Sequence, residues 1–290
     1  MFSYRHAFHA GNHADALKHT AWIAMLRYLT QKDAALTVLD THAGAGLYRL
    51  DGEQARTSGE AADGVLRLLA LPEPEAATLA PALADYLGVV RSFQRGKGHK
   101  TYPGSPFIAH GLLREHDRIK LFELHPTDSR NLKSNVTALD AGRQVAVLVE
   151  DGFEHYKKFL PPPSRRALVL IDPSYELKSD YARVQALLAD ALKRFPTGTY
   201  AVWHPIIPRP EAHDLPKRLR TLATKAQRPW LWASLTVKSG KRAQGLPASG
   251  LFVINPPHTL DAALRPALPQ MAQWLAQDDT AAWHLESGGG

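Results

Sequence analysis

Residues 166–176 read RALVLIDPSYE, and the prediction of the fold begins from this segment. Its apolar run continues without a polar interruption to Ile171, which is typical of a parallel strand buried on both faces. Asp172 and Pro173 then end the strand. In an open parallel sheet the ligand crevice lies beyond the carboxyl ends of the strands, so the Asp172 carboxylate is predicted to lie there.

The Asp-Pro-Ser-Tyr sequence has a specific chemical use. The exocyclic amine of a nucleobase carries two N–H groups that need acceptors. Because proline fixes its own φ and restrains the preceding residue, the Asp172 side chain and the Pro173 carbonyl can face one amine. Tyr175 offers a ring on which an unstacked base can lie. The same residue types also form ordinary turns, so a strand that simply ends in a turn is the alternative.

The composition bounds the class of protein. The 290 residues are 44% hydrophobic, which is ordinary for a soluble globular chain that buries a sizeable core. Lysine plus arginine (35) exceed aspartate plus glutamate (28), and the net charge of +7 favours a polyanionic partner but also fits a merely basic enzyme. The absence of cysteine excludes disulfides, thiolate zinc sites and cysteine nucleophiles, and fits a cytoplasmic protein. No apolar stretch of about 18 residues is present, so we expect no membrane span.

Residues 36–40 form a second apolar strand, and the loop that follows reads THAGAG. A strand followed by a glycine and alanine loop and a helix lets backbone N–H groups approach a ligand closely, here around Gly44. Gly-x-Gly is a weak motif, because without a third glycine or a Gly-Lys-Ser/Thr sequence it does not indicate a dinucleotide or a nucleoside triphosphate. His42, inside this loop, either lines the pocket or caps a backbone group.

Two further strands also end in carboxylates. Residues 118–122 lead to Glu123, which is placed to bind the two hydroxyls of a ribose. Residues 145–149 lead to Asp151 and Gly152, and this glycine permits close approach to a ring. A glycine loop after one strand and carboxylates after three others together predict an α/β fold with the Rossmann-like sheet of a class I S-adenosylmethionine-dependent methyltransferase.

The segment 51–103 is too long for one crossover between parallel strands. Two apolar helical patterns, broken by LPEP at 71–74, predict a small helical subdomain inserted into the sheet. We therefore expect residues 1–50 to hold the N-terminal motif, the first helix and the first strand. Residues 104–284 are expected to form the remainder of the methyltransferase domain, and residues 285–290 a flexible tail.

Two groups of basic residues have open interpretations. Asn12 is predicted to cap a helix whose first two turns carry Lys18 and His19. The helical pattern by itself favours a solvated face for these two residues. Lys97 and Lys100, in a basic run that closes the inserted segment, are either solvated or contact phosphates beside the pocket.

A second tetrapeptide, NPPH at 255–258, competes with DPSY for the catalytic role. We reject it because it follows the seventh strand, where a methyltransferase sheet has an antiparallel strand. No cofactor motifs precede it at a suitable spacing.

Four motifs of this chain resemble those of the RlmJ family. They read YRHAFHAGNHADALKH at 4–19, LDTHAGAG at 39–46, YPGSP at 102–106 and IDPSYE at 171–176. The likeness spans nearly the whole chain, and the N-terminal motif is far more specific than the general methyltransferase signals. The resemblance implies a Rossmann-like sheet with an inserted helical subdomain, and methylation of N6 of one adenine in bacterial large-subunit ribosomal RNA.

The resemblance also implies roles for individual residues. The pocket for S-adenosylmethionine is expected to be lined by His19, His42, Ser105, Glu123, Asp151 and Gly152, to which we add Gly44 and Asp172. Asp172 is the implied catalytic residue, and we group Pro173 and Tyr175 with it. Tyr4 is implied to lie near the substrate base, and we assign His6, Lys18, Lys97 and Lys100 to the RNA as well. The tetrapeptide of the family is usually Asp-Pro-Pro-Tyr, so Ser174 here leaves the stiffness of the loop in question.

We therefore predict S-adenosylmethionine-dependent N6-methylation of an adenine in 23S ribosomal RNA, free or partly assembled. The enzyme is expected to be cytoplasmic, monomeric and free of metal. A DNA adenine-N6 methyltransferase would share the tetrapeptide and the cofactor loops. A non-catalytic RNA-binding protein with a methyltransferase fold would need an impaired cofactor site, for which Ser174 is the only hint.

Overall fold

The structure is a computed structural model that describes residues 6–94, 101–240 and 245–289. Ten strands are present in these ranges: β1 Thr37–Asp40, β2 Leu47–Arg49, β3 Thr101–Pro103, β4 Arg118–Phe122, β5 Val145–Leu148, β6 Ala167–Ile171, β7 Thr199–Ile206, β8 Trp230–Thr236, β9 Ala248–Ile254 and β10 Ala282–Gly288. The α-helices are α1 His13–Leu29, α2 Glu53–Ser58, α3 Val65–Leu69, α4 Glu73–Ala76, α5 Pro81–Phe93, α6 Ser105–Leu112, α7 Pro126–Thr137, α8 Gly152–His155, α9 Ser179–Arg194, α10 Pro210–Lys225 and α11 Leu260–Trp274. Short 3-10 helices span His6–Phe8 and Tyr156–Phe159.

Eight strands form one sheet in the order β10-β8-β9-β7-β6-β1-β4-β5. The five neighbouring strands β7, β6, β1, β4 and β5 are parallel. Strand β9 is antiparallel to both β7 and β8. The chain order reverses between β1 and β6, and a crevice for a ligand opens at such a point. The predicted methyltransferase sheet is therefore confirmed, including the antiparallel seventh strand that excluded the NPPH sequence.

Strand β6 is buried on both faces, as its sequence predicts. Leu168 and Leu170 point into the hydrophobic core that contains α1, α5 and α11. Val169 and Ile171 point into a second core, formed with α9 and α10. Because both faces are packed, the end of this strand is held firmly, and the position of Asp172 is fixed with it.

Helix α1 brings polar residues to the ends of the strands. It begins after Asn12, whose side chain accepts a hydrogen bond of 3.0 Å from the backbone N of Asp15, so the predicted cap is confirmed. The helix packs against α5, α6, α11 and β9. Along the part of the chain that the structure describes, no helix is long and apolar enough to cross a membrane.

Helices α2 to α5 lie in the chain between β2 and β3, which pair with each other in a small antiparallel sheet. Helix α5 packs against α1 and α11. Its buried residues Leu83, Tyr86 and Leu87 belong to the same hydrophobic core as one face of the large sheet. These helices therefore share a core with the sheet, and the domain boundaries at residues 51 and 103 stay a prediction.

The expected flexible tail at 285–290 is wrong for residues 285–288. These residues are part of β10, which pairs antiparallel with β8 from Ala282 to Gly288. The pairing is reinforced by an ion pair between Arg220 and Glu286, whose nitrogen and oxygen are 2.6 Å apart. The strand lies at the edge of the sheet and is partly exposed, so it lacks the apolar run that identifies a buried strand.

Candidate active site

A cavity of about 410 Å³ opens at the carboxyl ends of β1, β4, β5 and β6. Its volume is within the range of small-molecule sites. Among the described residues, no group of three or more His, Asp and Glu side chains is arranged to hold a metal ion. The cavity is lined by the predicted site residues His6, Lys18, His19, His42, Gly44, Ser105, Glu123, Asp151, Gly152, Asp172 and Pro173.

Lys18 is the residue that links α1 to the end of β6. Its Nζ lies 2.6 Å from Oδ2 of Asp172 and 2.8 Å from Oδ1 of Asp15. Asp15 is also bonded to the N-terminal segment, because its Oδ2 accepts from the backbone N of Gly11 at 2.9 Å and from Nε2 of His6 at 3.0 Å. One ammonium group thus joins the first helix, the N-terminal segment and the residue that follows β6.

The opposite charges within this buried cluster decide its ionisation. Burial alone would lower the pKa of Lys18, but the carboxylates of Asp15 and Asp172 raise this pKa above its usual value. Burial alone would raise the pKa of Asp15, but the charge of Lys18 and the hydrogen bond from His6 bring it well below its usual value. The ammonium of Lys18 and the carboxylate of Asp15 are therefore both charged near neutral pH.

The interpretation of Lys18 and His19 as a solvated helix face is wrong. Lys18 is 4% exposed and His19 is 1% exposed. The polar face of this helix turn packs against strand ends that carry polar groups, and an apolar periodicity does not reveal such a partner.

The loop after β6 is held by its tyrosine. Tyr175 has a φ of 53°, its hydroxyl donates to the backbone O of Trp203 at 2.7 Å, and Arg209 donates to its backbone O at 3.0 Å. Its ring packs against Tyr181 with the ring centroids 4.7 Å apart. These contacts fix the loop even though Ser174 replaces the usual second proline.

The structure places the Tyr175 ring differently from our expectation. The side chain is 3% exposed and does not line the cavity, because its ring is part of the core formed with α9 and α10. In this conformation Tyr175 presents no free ring face to a base, so base stacking on it stays a prediction. Asp172 and Pro173, in contrast, both line the cavity.

Glu123 is held by two backbone groups at the end of β4. Its Oε2 accepts from the N of Gly44 at 2.8 Å, and its Oε1 accepts from the N of His125 at 2.7 Å. Burial raises the pKa of Glu123 to about 7, against the lowering effect of these two hydrogen bonds. Each oxygen still has a lone pair available, so the pair of oxygens can accept from two neighbouring hydroxyls.

Asp151 and Gly152 follow β5 and begin helix α8. Asp151 caps the helix by accepting from the N of Phe153, and its other oxygen lies 2.6 Å from a guanidinium nitrogen of Arg183. A Cβ on Gly152 would lie 2.0 Å from the backbone O of Thr41. The absence of a side chain at Gly152 therefore lets the start of α8 pack directly against the loop after β1.

His42 lies in that loop and lines the cavity, which decides between its two interpretations. Its ring packs edge to face on Phe153 at a centroid distance of 4.7 Å, and burial lowers its pKa to about 4. A neutral His42 is thus part of the wall between the ends of β1 and β5.

Asp40 is a buried carboxylate beside the cavity, at a strand end that the sequence had not singled out. It is 1% exposed and accepts hydrogen bonds from Ser105 Oγ at 2.6 Å and from the N of His42 at 3.2 Å. Burial raises its pKa to about 6. Its position at the end of the first strand was a usable signal, since the other strand ends were identified by their carboxylates. Arg183, which also lines the cavity, gave no such signal because it lies within a helix.

The predicted RNA-binding residues divide into two groups. His6 and Lys18 lie in the cavity, as described above. Tyr4, Lys97 and Lys100 lie outside the described residues, so their contacts with RNA stay predictions.

The chain matches known proteins over nearly its whole length. A family model described as "Ribosomal RNA large subunit methyltransferase D, RlmJ" matches residues 33–287. A protein of Escherichia coli (strain K12) named "Ribosomal RNA large subunit methyltransferase J" is 42% identical over 275 residues, which are 95% of this chain and 93% of that protein. A protein of Haemophilus influenzae with the same name is 39% identical over 287 residues, covering 99% and 98% of the two chains.

A solved structure is also similar. The crystal structure of protein LPL1258 from Legionella pneumophila superposes with a TM-score of 0.81 at 31% identity, covering 97% of this chain and 98% of that one. The fold described above is thus similar to one determined by experiment.

Removal of the Lys18 ammonium is expected to destabilise the protein, because it leaves the Asp15 carboxylate buried and poorly compensated. We expect Lys18→Met to lower the free energy of unfolding at pH 7 by about 3 kcal/mol, measured by urea titration. The matched control is the double variant Lys18→Met with Asp15→Asn, which removes the uncompensated charge and should regain part of the loss. A single variant as stable as the unchanged protein would contradict this account of the cluster.

Proposed function

Because the chain belongs to the RlmJ family of ribosomal RNA large subunit methyltransferases, we propose that it uses S-adenosylmethionine to methylate N6 of an adenine in bacterial 23S ribosomal RNA. One observation carries the chemical part of this proposal. Asp172 and Pro173 line the same cavity as Glu123 and Asp151. Acceptors for a base amine and acceptors for a nucleoside thus share one site.

The residues of the cavity fit S-adenosylmethionine. Glu123 has lone pairs for the two ribose hydroxyls, and it is already oriented by two backbone N–H groups. His19 has a buried Nε2 with no hydrogen-bond partner among the described residues. The cavity volume of about 410 Å³ suits a nucleoside with an amino-acid extension. When bound, this cofactor supplies a methyl group on a positively charged sulfur.

Asp172 and Pro173 are proposed to orient the adenine amine. The Oδ2 of Asp172 accepts from Lys18, and its Oδ1 makes no hydrogen bond within the described residues. Oδ1 and the Pro173 carbonyl would therefore be the two acceptors for the N6 hydrogens, and the nitrogen lone pair would stay free for the methyl group that the cofactor supplies. The amine becomes acidic only after it has gained the methyl group, and its proton then leaves to Asp172 or to water. Positioning supplies most of the rate enhancement in such a reaction.

Lys18 is proposed to hold Asp172 in this orientation. A hydrogen bond of 2.6 Å between an ammonium and a carboxylate is short and strong, and it fixes one oxygen so that the other faces the cavity. The ring of Trp203, whose centroid lies 6.0 Å from the Lys18 Nζ, borders the same group.

The surface beside the cavity is suited to a large, anionic substrate. Leu177, two residues after Tyr175, is 64% exposed and lines the mouth of the cavity. An apolar side chain at this place can contact the bases next to an unstacked adenine. The net charge of +7 favours association with a phosphate backbone.

We further propose a monomeric, metal-free, cytoplasmic enzyme that acts on free or partly assembled ribosomal RNA. Bacterial ribosomal RNA is made and assembled in the cytoplasm, and an unstacked adenine is most accessible before assembly is complete. Tyr4, His6, Lys97 and Lys100 are proposed to contact this RNA.

The first test compares RNA with DNA, because a DNA adenine methyltransferase would share the tetrapeptide. Matched RNA and DNA oligonucleotides with one adenine in the same predicted loop would be incubated with the protein and cofactor labelled in its methyl group. We expect label in the RNA alone. Preferential labelling of DNA would support the alternative function, and label in neither would support a non-catalytic RNA-binding protein if the protein still binds RNA.

The variant Asp172→Asn tests the role of the carboxylate. Its amide oxygen would accept from Lys18, so its NH₂ group would face the N6 hydrogens of the base, donor against donor. We expect turnover to fall about a hundredfold in a methyl-transfer assay, with cofactor affinity nearly unchanged. The matched control is Ser174→Pro, which restores the tetrapeptide usual for the family and should keep turnover. Turnover of Asp172→Asn close to that of the unchanged protein would exclude the role.

Cofactor affinity is expected to depend on pH through Glu123. Hydroxyl groups that donate to its carboxylate stabilise the charged form, so binding lowers a pKa that is about 7 in the free protein. Affinity should therefore be highest above pH 7 and fall by up to about tenfold per unit below it, as measured by calorimetric titration. The control Glu123→Gln should bind more weakly and lose this pH dependence. An identical pH profile in both proteins would contradict the ribose role.

A further inference from the structure

Three buried side chains form a hydrogen-bonded chain behind the cavity. The Nδ1 of His19 lies 2.7 Å from the hydroxyl of Tyr102, and this hydroxyl lies 3.1 Å from the hydroxyl of Tyr86. His19 is 1% exposed, and both tyrosines are fully buried. His19 comes from α1, Tyr102 from β3 and Tyr86 from α5, so the chain connects the cavity to the segment between β2 and β3.

The number of protons in this chain sets its direction. Tyr86 has Tyr102 as its one hydrogen-bond partner in the described parts of the structure. If the Tyr86 hydroxyl donates to Tyr102, then Tyr102 donates to Nδ1 of His19, and every hydroxyl hydrogen is bonded. If Nδ1 carried the proton instead, either the Tyr102 or the Tyr86 hydrogen would be buried without an acceptor. In the first arrangement the hydrogen without a bonded acceptor is the one on Nε2, which lies near the Asp15 carboxylate and belongs to a residue that lines the cavity.

Asp15 favours the same arrangement independently. Its Oδ1 lies 3.9 Å from Nε2 of His19. A proton on Nε2 is attracted by this carboxylate, whereas a bare nitrogen lone pair would be repelled by it. Burial lowers the pKa of His19 to about 3, so the ring is neutral and carries a single proton.

We propose that Tyr102, oriented by Tyr86, is a positioning residue that holds His19 as the Nε2–H tautomer and thereby gives the cavity a fixed hydrogen-bond donor. Nδ1 is occupied by Tyr102, so Nε2 is the nitrogen left for a ligand, and it has no partner among the described residues. The ligand class is an anionic or carbonyl oxygen, and the carboxylate of the amino-acid end of S-adenosylmethionine fits it. The identity of this ligand rests on the proposed function, whereas the tautomer does not.

Tyr86 in α5 and Tyr102 in β3 thereby contribute to the site. Neither Tyr86 nor Tyr102 lines the cavity. Their hydroxyl groups act only through His19, because the tautomer of a histidine is set by the hydrogen bond that its other nitrogen makes.

The tautomer can be measured in the protein without cofactor. In protein labelled with ¹⁵N-histidine, long-range couplings from the ring protons distinguish a protonated Nε2 from a bare one, and His19→Gln assigns the signal. We expect Nε2–H alone in the unchanged protein, a mixture of the two tautomers in Tyr102→Phe, in which only Asp15 still favours Nε2–H, and retention of Nε2–H in Tyr86→Phe. A bare Nε2 in the unchanged protein would overturn the proposal, as would an unchanged tautomer in Tyr102→Phe.

Binding of S-adenosylmethionine, measured by calorimetric titration, gives the second readout. Tyr102→Phe removes one oxygen and keeps the ring, and we expect about tenfold weaker binding. Tyr86→Phe should weaken binding less. In a His19→Gln background, where the amide N–H is a donor whatever Tyr102 does, Tyr102→Phe should have little further effect.

The two parts of the proposal fail in different ways. A tenfold loss from Tyr102→Phe that persists in the His19→Gln background would show a structural effect and overturn the positioning role. Absence of cofactor binding in the unchanged protein, with the Nε2–H tautomer present, would contradict the proposed function and leave the tautomer assignment intact. Melting temperatures of the variants close to that of the unchanged protein exclude misfolding as the cause.

Discussion

The site depends on one buried ammonium group, that of Lys18, between the carboxylates of Asp15 and Asp172. A buried charge is tolerated only when it is paired and hydrogen-bonded, and here the pairs connect three separate parts of the chain. Helix α1 supplies Lys18 and Asp15, and the loop directly after β6 supplies Asp172. The N-terminal segment adds the backbone N of Gly11 to Asp15. The position of the Asp172 carboxylate therefore depends on the docking of the first helix.

Most of the sheet could be predicted because its strands are buried. The run ALVLI of β6 is apolar on both faces, and its alternate residues enter two different cores, as a central parallel strand requires. Edge strand β10 was not predicted because it is largely exposed. Its sequence AWHLESG has three exposed residues at its start and no long apolar run, so only its partner β8 reveals that it is a strand. A run of apolar residues predicts a strand that is buried. A strand held mainly by backbone hydrogen bonds to its neighbour has no such run in its sequence.

The same distinction holds in the site. The strand ends could be found in the sequence, because a carboxylate directly after an apolar run is visible there, and Glu123 and Asp151 line the cavity as expected. Contacts between distant polar residues could not be read in this way. Lys18 has the spacing of a solvated helix face, and only its tertiary contact with Asp172 shows otherwise. Tyr175 was expected to be accessible, but its positive φ and its hydrogen bond to Trp203 place the ring in a core.

The cavity is lined by two chemically distinct sets of residues, and the proposed function uses both. Glu123 and Asp151 lie at the ends of β4 and β5, whereas Asp172 and Lys18 lie at β6 and α1. We propose that Asp172, held by Lys18, orients the N6 of an adenine in ribosomal RNA. The most direct test is to methylate an unmodified 23S ribosomal RNA transcript, digest it to nucleosides and identify the product by mass spectrometry. We expect N6-methyladenosine as the one new nucleoside, formed only when S-adenosylmethionine is present. A methyl group on another base or on another atom of adenine would contradict it.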